Sequence, residues 1–342
     1  MSAPLIRVLV VDDSPFMRGV LPAKIEADSR FKVVGTAVDG RDAVEKTLQL
    51  KPDVVTLDID MPVMNGLDAL REIVRQSTAS VIMLSARTEQ GAAITLEALA
   101  LGAVDFIPKS RGVDRIHEKL LAAVEAKTQK ARVSAPKPTV VVRPTAPPRA
   151  AAGARVNAKI CIIGSSTGGP QALQTVLSQL PESLSVPLVV AQHMPPNFTK
   201  ALAQRLDDLC KPKVIEAEDG MALVKGTVYI SPGGMQTRVT ATEIRISPDH
   251  GESLYKPSVD VLAESARGAF GKNVLGVMLT GMGGDGAAEF GKLLKLGAYN
   301  IAQDQASSVV YGMPRTLVEA GGADEVLPLD QIGQRIRSAL GC

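Results

Sequence analysis

Cysteine is scarce in this chain of 342 residues, and its three copies exclude a disulfide-rich scaffold. Cys161, Cys210 and Cys342 are far apart, and none is part of a CxxC pair or lies near a histidine in the sequence. An odd number of cysteines without metal-ligand spacing is typical of a reducing compartment. Cys161 stands in an apolar run, so we predict a core residue there rather than a nucleophile.

A long apolar run is also missing, which excludes a transmembrane helix, since such a helix needs about eighteen or more apolar residues. The first residues, MSAPLIRVLVVDD, do not resemble a signal peptide. Their apolar stretch is short, contains Arg7, and ends in two acids instead of a small-residue cleavage site. We therefore expect a cytoplasmic protein that does not insert into membranes.

Acidic residues are absent from positions 126–155, which contain seven Lys or Arg, five prolines and eight alanines. This stretch lacks helical or strand periodicity beyond its start, and we predict a flexible linker over 127–155. It separates a first domain, 1–126, from a second, 156–342. The other residues include 31 basic and 36 acidic ones, a net charge of −5. This mildly acidic balance argues against nucleic-acid binding.

The first domain alternates short β-branched runs with longer amphipathic segments. This pattern predicts an α/β fold with a five-stranded, doubly wound parallel sheet of the flavodoxin-like type. The predicted strands are 6–11, 32–38, 53–58, 80–85 and 103–108.

The second domain alternates in the same way, with predicted strands at 160–164, 187–192, 227–231, 239–247 and 274–280. The stretch TVYISPGGMQTRVTATEIRIS resembles a hairpin or a meander. We therefore predict an α/β domain whose sheet is mostly parallel but includes some antiparallel strands.

Polar groups follow four of the predicted strands in the first domain: Asp12, Asp13, Asp58, Asp60, Ser85 and Lys109. The carboxyl ends of parallel strands meet at one edge of a sheet, where functional groups gather. Carboxylates crowded at one point repel each other unless a hard cation such as Mg²⁺ joins them. One of them could then attack a phosphoryl donor. Taken singly, each acid is more simply a solvated loop residue, but that explanation is weak for the whole set.

The motifs VLVVDDS, TLDIDMPVMNG, MLSA and FIPK resemble the receiver domain of two-component response regulators. The resemblance implies that Asp58 accepts a phosphoryl group from a histidine kinase. It also implies that Asp12, Asp13, Asp58 and the backbone carbonyl of Asp60 bind Mg²⁺. The implied switch and phosphate-binding residues are Ser85, Phe106 and Lys109.

Residues 164–169 read G-S-S-T-G-G, which fits neither of the common phosphate-binding loops, GxxxxGK[ST] and GxGxxG. Instead, Gly164, Ser166 and Gly168 fit G-x-S-x-G, a pattern that places an exposed serine on a sharp strand-to-helix turn. Pro170 suits the first turn of the following helix. Such a pentapeptide alone is weak evidence, because structural Gly-Ser turns are more common.

A nucleophilic serine needs a base, and His193 follows the predicted strand PLVVAQ. Asp285, in LTGMGGDG, follows another strand, so Ser166, His193 and Asp285 are predicted to meet at one sheet edge. His193 could instead be a loop residue bonded to backbone, and the glycines near Asp285 could form only a tight turn. His250, in SPDHGES, is predicted to be a solvated loop residue.

The blocks GSSTGGP, QHMPPNFT, KPSVDVL and LTGMGGDGA resemble the catalytic domain of chemotaxis protein-glutamate methylesterases, the CheB family. The resemblance implies a three-layer α/β/α domain that hydrolyses glutamate γ-methyl esters on methyl-accepting chemoreceptors, and that deamidates receptor glutamines in many members. It implies Ser166 as nucleophile, His193 as base and Asp285 as orienting acid, with backbone N–H groups of Thr167 and Met282 stabilising the oxyanion. Mg²⁺ would serve only the receiver domain, and no cofactor would serve the esterase. We expect a monomer in which the unphosphorylated receiver covers the esterase site.

Two other functions stay open at this stage. A DNA-binding regulator would need a basic recognition helix in the second domain, and none is evident. A serine hydrolase of small-molecule esters is chemically possible, and only the family resemblance and the receiver argue against it.

Overall fold

The computed structural model describes residues 5–85, 88–109, 115–134, 155–248 and 253–342. The chain divides into two compact units, Met1–Ala135 and Pro136–Cys342. In the described parts of both units, no helix is long and apolar enough to cross a membrane.

The first unit is a five-stranded parallel sheet in the order β2-β1-β3-β4-β5. Its strands are β1 (Ile6–Val11), β2 (Phe31–Ala37), β3 (Val54–Asp58), β4 (Ser80–Ser85) and β5 (Asp105–Pro108). Its helices are α1 (Pro15–Glu26), α2 (Gly40–Leu50), α3 (Gly66–Gln76), α4 (Glu89–Leu101) and α5 (Ile116–Ser134). The predicted doubly wound fold is confirmed, and the predicted strand bounds differ from these by two residues at most.

Side-chain caps explain where several of these helices begin. The side chain of Asp39 accepts hydrogen bonds from the first amides of α2, Asn65 does the same for α3, and Thr88 for α4. Each cap satisfies an amide that has no partner inside its helix. These helices therefore start close to the carboxyl ends of the strands, where the polar groups gather.

Helix α5 continues to Ser134, so the first part of the segment predicted as a linker, 127–134, is helical. These residues include no proline or glycine, and the first proline of the segment is Pro136. Good helix formers can extend a helix until proline removes the next amide donor. The rest of the predicted linker, 135–154, lies outside the described residues.

The second unit is built on a seven-stranded parallel sheet in the order β14-β13-β12-β6-β7-β9-β8. These strands are β6 (Ile160–Ser165), β7 (Leu188–Gln192), β8 (Lys213–Glu216), β9 (Thr227–Ile230), β12 (Val274–Met278), β13 (Tyr299–Gln303) and β14 (Glu325–Leu327). A separate antiparallel pair comprises β10 (Gln236–Val239) and β11 (Ile244–Ser247). The predicted mixture of parallel and antiparallel strands is confirmed.

The details of that mixture differ from the prediction. The strand at 227–230 belongs to the parallel sheet, and the predicted strand 239–247 is two short strands joined by a turn. Thr240 stabilises this turn, because its hydroxyl accepts from the amides of Thr242 and Glu243. Strands β8, β13 and β14 are not among the predicted strands.

The helices within the described residues of the second unit are α6 (Gly169–Leu177), α7 (Phe198–Leu209), α8 (Val259–Phe270), α9 (Ala287–Leu296), α10 (Met313–Glu319) and α11 (Leu329–Leu340). Buried side chains of α8, α9 and α10 pack with Ile160, Ile162 and Val189 of the sheet in one apolar core. Helix α6 contacts α7 and α11. Cys161 is fully buried, as predicted, and burial raises the pKa of its thiol, which leaves it unreactive.

Candidate functional sites

Three carboxylates of the first unit converge at the carboxyl ends of β1 and β3. Asp12, Asp13 and Asp58 each place one carboxylate oxygen within 4.8 Å of the others. The ammonium group of Lys109, just past β5, lies 2.9 Å from Oδ2 of Asp12 and 2.6 Å from Oδ2 of Asp58. The structure therefore brings together four of the residues that the strand ends predict.

The electrostatics of this cluster favour a bound cation. Burial raises the pKa of Asp58 to about 6, with a further increase from the charge of Asp12, although Lys109 and the amide of Ile59 act in the opposite direction. Burial lowers the pKa of Lys109, but the two carboxylates outweigh this effect and raise it. One ammonium group thus faces three crowded carboxylates. Their hard oxygen donors are the ligands that Mg²⁺ prefers, so the residues fit that ion.

The other predicted receiver residues lie around this cluster. Ser85 is fully buried at the end of β4, and its hydroxyl lies 2.6 Å from that of Thr95 on α4. Thr95 in turn donates to the carbonyl of Gly91. Phe106 is buried in β5, and Asp60 is exposed two residues beyond Asp58. Ser85 is therefore linked to α4 in this structure.

In the second unit, Ser166 follows β6, the central strand of the sheet, and precedes helix α6. The turn is tight, because Gly168 has a φ of 77° and the amide of Gly169 donates to the carbonyl of Ser166 over 2.8 Å. A Cβ atom at Gly169 would lie only 1.9 Å from Oε1 of Gln192. Gly168 of the G-x-S-x-G pattern is thus required for a left-handed backbone, and Gly169, the next residue, for close packing.

The loop after β12 also approaches the serine closely. The amide of Ser166 donates to the carbonyl of Thr280 over 3.0 Å, and a Cβ atom at Gly281 would lie 2.8 Å from Cβ of Ser166. Of the two interpretations of these glycines, close backbone approach at a site therefore applies to Gly281. Gly283 and Gly286 have positive φ angles, so the turn interpretation applies to them as well.

His193 follows β7, the neighbour of β6, and its amide donates to the carbonyl of Ser165 over 3.0 Å. Its Nε2 atom lies 2.7 Å from Oδ2 of Asp285. Its Nδ1 atom is buried and has no hydrogen-bond partner among the described residues. The ring therefore has one nitrogen on a carboxylate and the other available for a proton. His250 lies outside the described residues.

Asp285 is almost surrounded by donors. Its Oδ2 accepts from His193 and from the amide of Val259 over 2.7 Å, and its Oδ1 accepts from the hydroxyl of Ser258 over 2.9 Å and the amide of Asp260 over 3.1 Å. Two of these donors are the first amides of helix α8. Burial raises the pKa of Asp285, but His193 and the amides outweigh it and keep it below the ordinary value. The carboxylate is thus held in its charged form.

The predicted oxyanion donors are in the same region. Ser166 uses its own amide on Thr280, so a donor for a bound substrate must come from a neighbouring residue. Thr167 is buried, and the hydroxyl of Thr280 donates to its carbonyl over 3.0 Å. The amide of Met282 makes no hydrogen bond within the part of the chain that the structure describes.

Three residues around the site are missing from the sequence prediction. Gln192 is buried and donates to the carbonyls of Ser166 and His193, while its Oε1 accepts from Ser165. Tyr255 stacks on the ring of His193, and Ser258 bonds to Asp285. Gln192 begins the block QHMPPNFT and Ser258 stands in the block KPSVDVL, so the family motifs include both, whereas Tyr255 lies just outside them.

Comparison with known proteins places both units in described families. The family model "CheB methylesterase" matches residues 161–336, and "Response regulator receiver domain" matches residues 8–121. A protein of Symbiobacterium thermophilum named protein-glutamate methylesterase/protein-glutamine glutaminase is 45% identical over 98% of this chain and 97% of its own length. A protein of the same name from Thermotoga maritima is 42% identical over 98% of this chain and 99% of its own.

The crystal structure of the Thermotoga maritima CheB methylesterase catalytic domain superposes with a TM-score of 0.51 and 39% sequence identity. The match covers 52% of this chain and 97% of that domain. The chain therefore belongs to the CheB methylesterase family, with a receiver domain before the esterase domain, as the sequence motifs predict.

Proposed function

We propose that this chain hydrolyses glutamate γ-methyl esters on methyl-accepting chemoreceptors, and that phosphorylation of its receiver domain activates it. The observation that supports the reaction best is the pair of His193 and Asp285 beside Ser166, with Nδ1 of the imidazole unpartnered. The names of the relatives support the substrate class, and the contacts of Ser166, His193 and Asp285 support their assignment as nucleophile, base and orienting acid.

In the first half of the reaction, Oγ of Ser166 attacks the ester carbonyl carbon while Nδ1 of His193 takes the hydroxyl proton. The resulting imidazolium is stabilised by Asp285 at Nε2. The tetrahedral intermediate then collapses, its C–O bond to the methoxy group breaks, and the proton passes from Nδ1 to that oxygen. Methanol leaves, and the glutamyl group stays on Ser166 as an ester.

In the second half, a water molecule attacks the acyl group, and Nδ1 of His193 takes a proton from the water. Collapse of the second intermediate breaks the bond to Oγ and returns the proton to Ser166, which releases a free glutamate side chain. A receptor glutamine follows the same course, with ammonia as the first leaving group. Deamidation therefore needs no additional residue.

The negative oxygen of each intermediate would be bound by the backbone N–H groups of Thr167 and Met282. The peptide that carries the Thr167 N–H is held at its Ser166 carbonyl, which accepts from the side-chain amide of Gln192 and from the amide of Gly169. Helix α6 also begins beside Ser166, so its positive end favours negative charge there. Preorganised donors of this kind commonly contribute about 3 kcal/mol each to the rate.

Control by phosphorylation rests on the cluster in the first unit. Asp12, Asp13, Asp58 and the backbone carbonyl of Asp60 would hold Mg²⁺, which when bound offsets the charge of the phosphoryl oxygens. A carboxylate oxygen of Asp58 would take the phosphoryl group from a histidine kinase and form an acyl phosphate. Lys109 and Ser85 would then bind its oxygens, and Ser85 would exchange its bond to Thr95 for one to the phosphoryl group.

Methanol release from methylated receptor membranes tests both parts of the proposal. We expect release by the wild-type protein to rise when Mg²⁺ and a small phosphodonor are added. Ser166→Ala should lose very roughly 10⁴-fold or more in rate while remaining folded. Asp58→Asn should keep the low rate whatever the phosphodonor.

The same assay separates the proposal from its alternative. Faster turnover of a generic small ester than of receptor methyl esters would favour a small-molecule hydrolase. Near-normal turnover by Ser166→Ala would show that Ser166 is not the nucleophile.

A further inference from the structure

The imidazole of His193 lies against the ring of Tyr255. The two ring centroids are 4.1 Å apart, and the ring planes differ by only 6°. Tyr255 precedes helix α8 and is half-buried, and its carbonyl accepts from the side-chain amide of the buried Gln236 over 2.8 Å. The tyrosine is therefore anchored through its backbone, and its ring covers one face of the base.

The hydrogen bonds of His193 do not by themselves fix the plane of its imidazole ring. One nitrogen is bonded to Asp285, and the other must stay free to reach Ser166. A single hydrogen bond at Nε2 fixes the position of that atom, but it does not prevent the ring from rotating out of its plane. Only packing against the faces of the ring can fix the plane without blocking Nδ1.

The tyrosine ring also has an electrostatic effect on the reaction. When Nδ1 takes the serine proton, the imidazole becomes a cation. Asp285 then contacts this cation at its edge, and the aromatic face of Tyr255 contacts its face. The face of an aromatic ring attracts a cation, more strongly where water is excluded. The His193 side chain is only 7% exposed, so little water competes at this contact.

The hydroxyl of Tyr255 contacts a different part of the site from the ring. A Cβ atom built on Gly283 would be 3.1 Å from it, so the hydroxyl lies over the loop between Met282 and Asp285. The hydroxyl contact helps to pack this loop, whereas the stacking on His193 is made by the aromatic ring alone. Phenylalanine should therefore replace tyrosine here, whereas an aliphatic residue should not.

We propose that Tyr255 is a positioning residue of the esterase, which fixes the plane of His193 and stabilises its protonated form. This inference rests on the proposed function, because it assigns Tyr255 a role through the base of that reaction.

The test compares Tyr255→Leu with Tyr255→Phe in the full-length protein. Tyr255→Leu should lower kcat for methanol release about 10-fold with KM changed less than about threefold, since the loss arises only as the cation forms. Tyr255→Phe should retain kcat within about twofold. Tyr299→Leu is the matched control. Tyr299 begins β13, at the amino end of the strand, and its ring lies against Arg335 of α11, so this substitution should leave kcat unchanged.

A double variant shows whether the effect passes through the base. In a His193→Gln background, adding Tyr255→Leu should change the residual rate less than about twofold. An undiminished 10-fold loss there, or a Phe variant as slow as the Leu variant, would overturn the inference. If the Leu variant does not fold, Tyr255→Met, which fills similar space without an aromatic face, replaces it in the same comparison.

Labelling of Ser166 by a fluorophosphonate separates this inference from the proposed function. In that reaction Oγ of Ser166 displaces fluoride from phosphorus and His193 takes the proton, with no receptor present. Tyr255→Leu should slow labelling about as much as it slows turnover. If receptor esters prove not to be substrates, equal labelling of the Leu and wild-type proteins would overturn the inference, and slower labelling would still support it.

Discussion

Replacing Asp285 by asparagine changes one atom of the site, and the structure shows what that atom does. The carboxylate accepts four hydrogen bonds, two on each oxygen. Asparagine offers one oxygen and one NH₂ group, so it can accept on one side only. If the oxygen takes the place of Oδ2, the bonds from His193 and Val259 remain, and the NH₂ group faces the Ser258 hydroxyl and the Asp260 amide.

This orientation is the better of the two. The Ser258 hydroxyl can turn and accept from the NH₂ group, whereas the Asp260 amide would be left without an acceptor, at a cost of about 1–3 kcal/mol in stability. In the opposite orientation the NH₂ group would face Nε2 of His193. The proton would then have to be on Nδ1, and His193 could not act as the base.

The effect on the rate follows from the lost charge. The neutral amide no longer forms a charge-assisted hydrogen bond with the imidazolium, and such bonds contribute about 1.5–3 kcal/mol. A neutral hydrogen bond contributes about 1 kcal/mol and remains, so the difference of about 1–2 kcal/mol alone lowers the rate roughly 5- to 30-fold. Molecules in the wrong orientation add to the loss. We expect kcat for Asp285→Asn to fall about 10²- to 10³-fold, with KM changed less than about threefold.

Methanol release by the full-length protein, with Mg²⁺ and phosphodonor, measures both constants. Asp260→Asn is the matched control, because this neighbouring half-buried carboxylate bonds to the amide of Glu289 instead of to His193. It should change kcat less than about threefold. An Asp285→Asn enzyme within fivefold of wild type, or one impaired mainly in KM, would refute the assignment of Asp285 as the orienting acid.

The same carboxylate gives a pH prediction for stability. The pKa of Asp285 is lower in the folded chain than its ordinary value of 3.8, so its contribution is complete above that value and is lost as pH falls through the folded-state pKa. Asparagine does not titrate. The difference in Tm between wild type and Asp285→Asn should therefore shrink as the pH falls below about 4.

Further predictions concern the base, the turn and the receiver. His193→Gln should cost far more esterase activity than His250→Gln, and equal losses would mean that the base is misplaced. Gly169→Ala should displace the amide of Gln192, lower Tm and reduce kcat, whereas Gly268→Ala, in open space on α8, should raise Tm slightly. Methanol release by a fragment from about 150 to 342 should exceed that of the intact unphosphorylated protein, and a fragment no faster than the whole would show that the receiver does not restrain the esterase.

Hydrophobic pattern was sufficient to predict the strands that are apolar throughout, and it failed where buried positions are polar. Strand β13 includes Asn300 and Gln303, which are both fully buried. Asn300 donates to the carbonyls of Phe290 and Gly322, and Gln303 links Thr280 with Ser307. These amides connect the sheet to loops and helices distant in sequence, so no local pattern marks them as buried. Strands β8 and β14 are short edge strands with little apolar signal of their own.

The three main residues of the proposed esterase site were accessible from sequence because each follows a parallel strand, and strand ends converge by geometry. The residues that contact His193 and Asp285 from the segment before α8 were not accessible in this way. Tyr255 and Ser258 come from the segment before α8, which follows the antiparallel pair β10 and β11. Their contacts with His193 and Asp285 depend on the course of that segment back to the edge of the sheet. Neither the spacing nor the periodicity of the sequence predicts this course.

Asp58 and Asp285 occupy similar places in the two sheets, but their charged surroundings differ. Asp58 is the last residue of β3, and Asp285 lies in the loop between β12 and α9; both side chains are buried. Asp285 is met by four donors, including the first amides of a helix, and its pKa is lowered. Asp58 lies beside the carboxylate of Asp12 with fewer donors, and burial raises its pKa to about 6. The position in the fold was predictable for both, but the charge balance depends on neighbours 25 or more residues away in sequence for Asp285 and more than 40 away for Asp58. The carboxyl edge of a parallel sheet therefore holds the proposed orienting carboxylate in its charged form in one domain and crowds the proposed phosphoryl acceptor with like charge in the other.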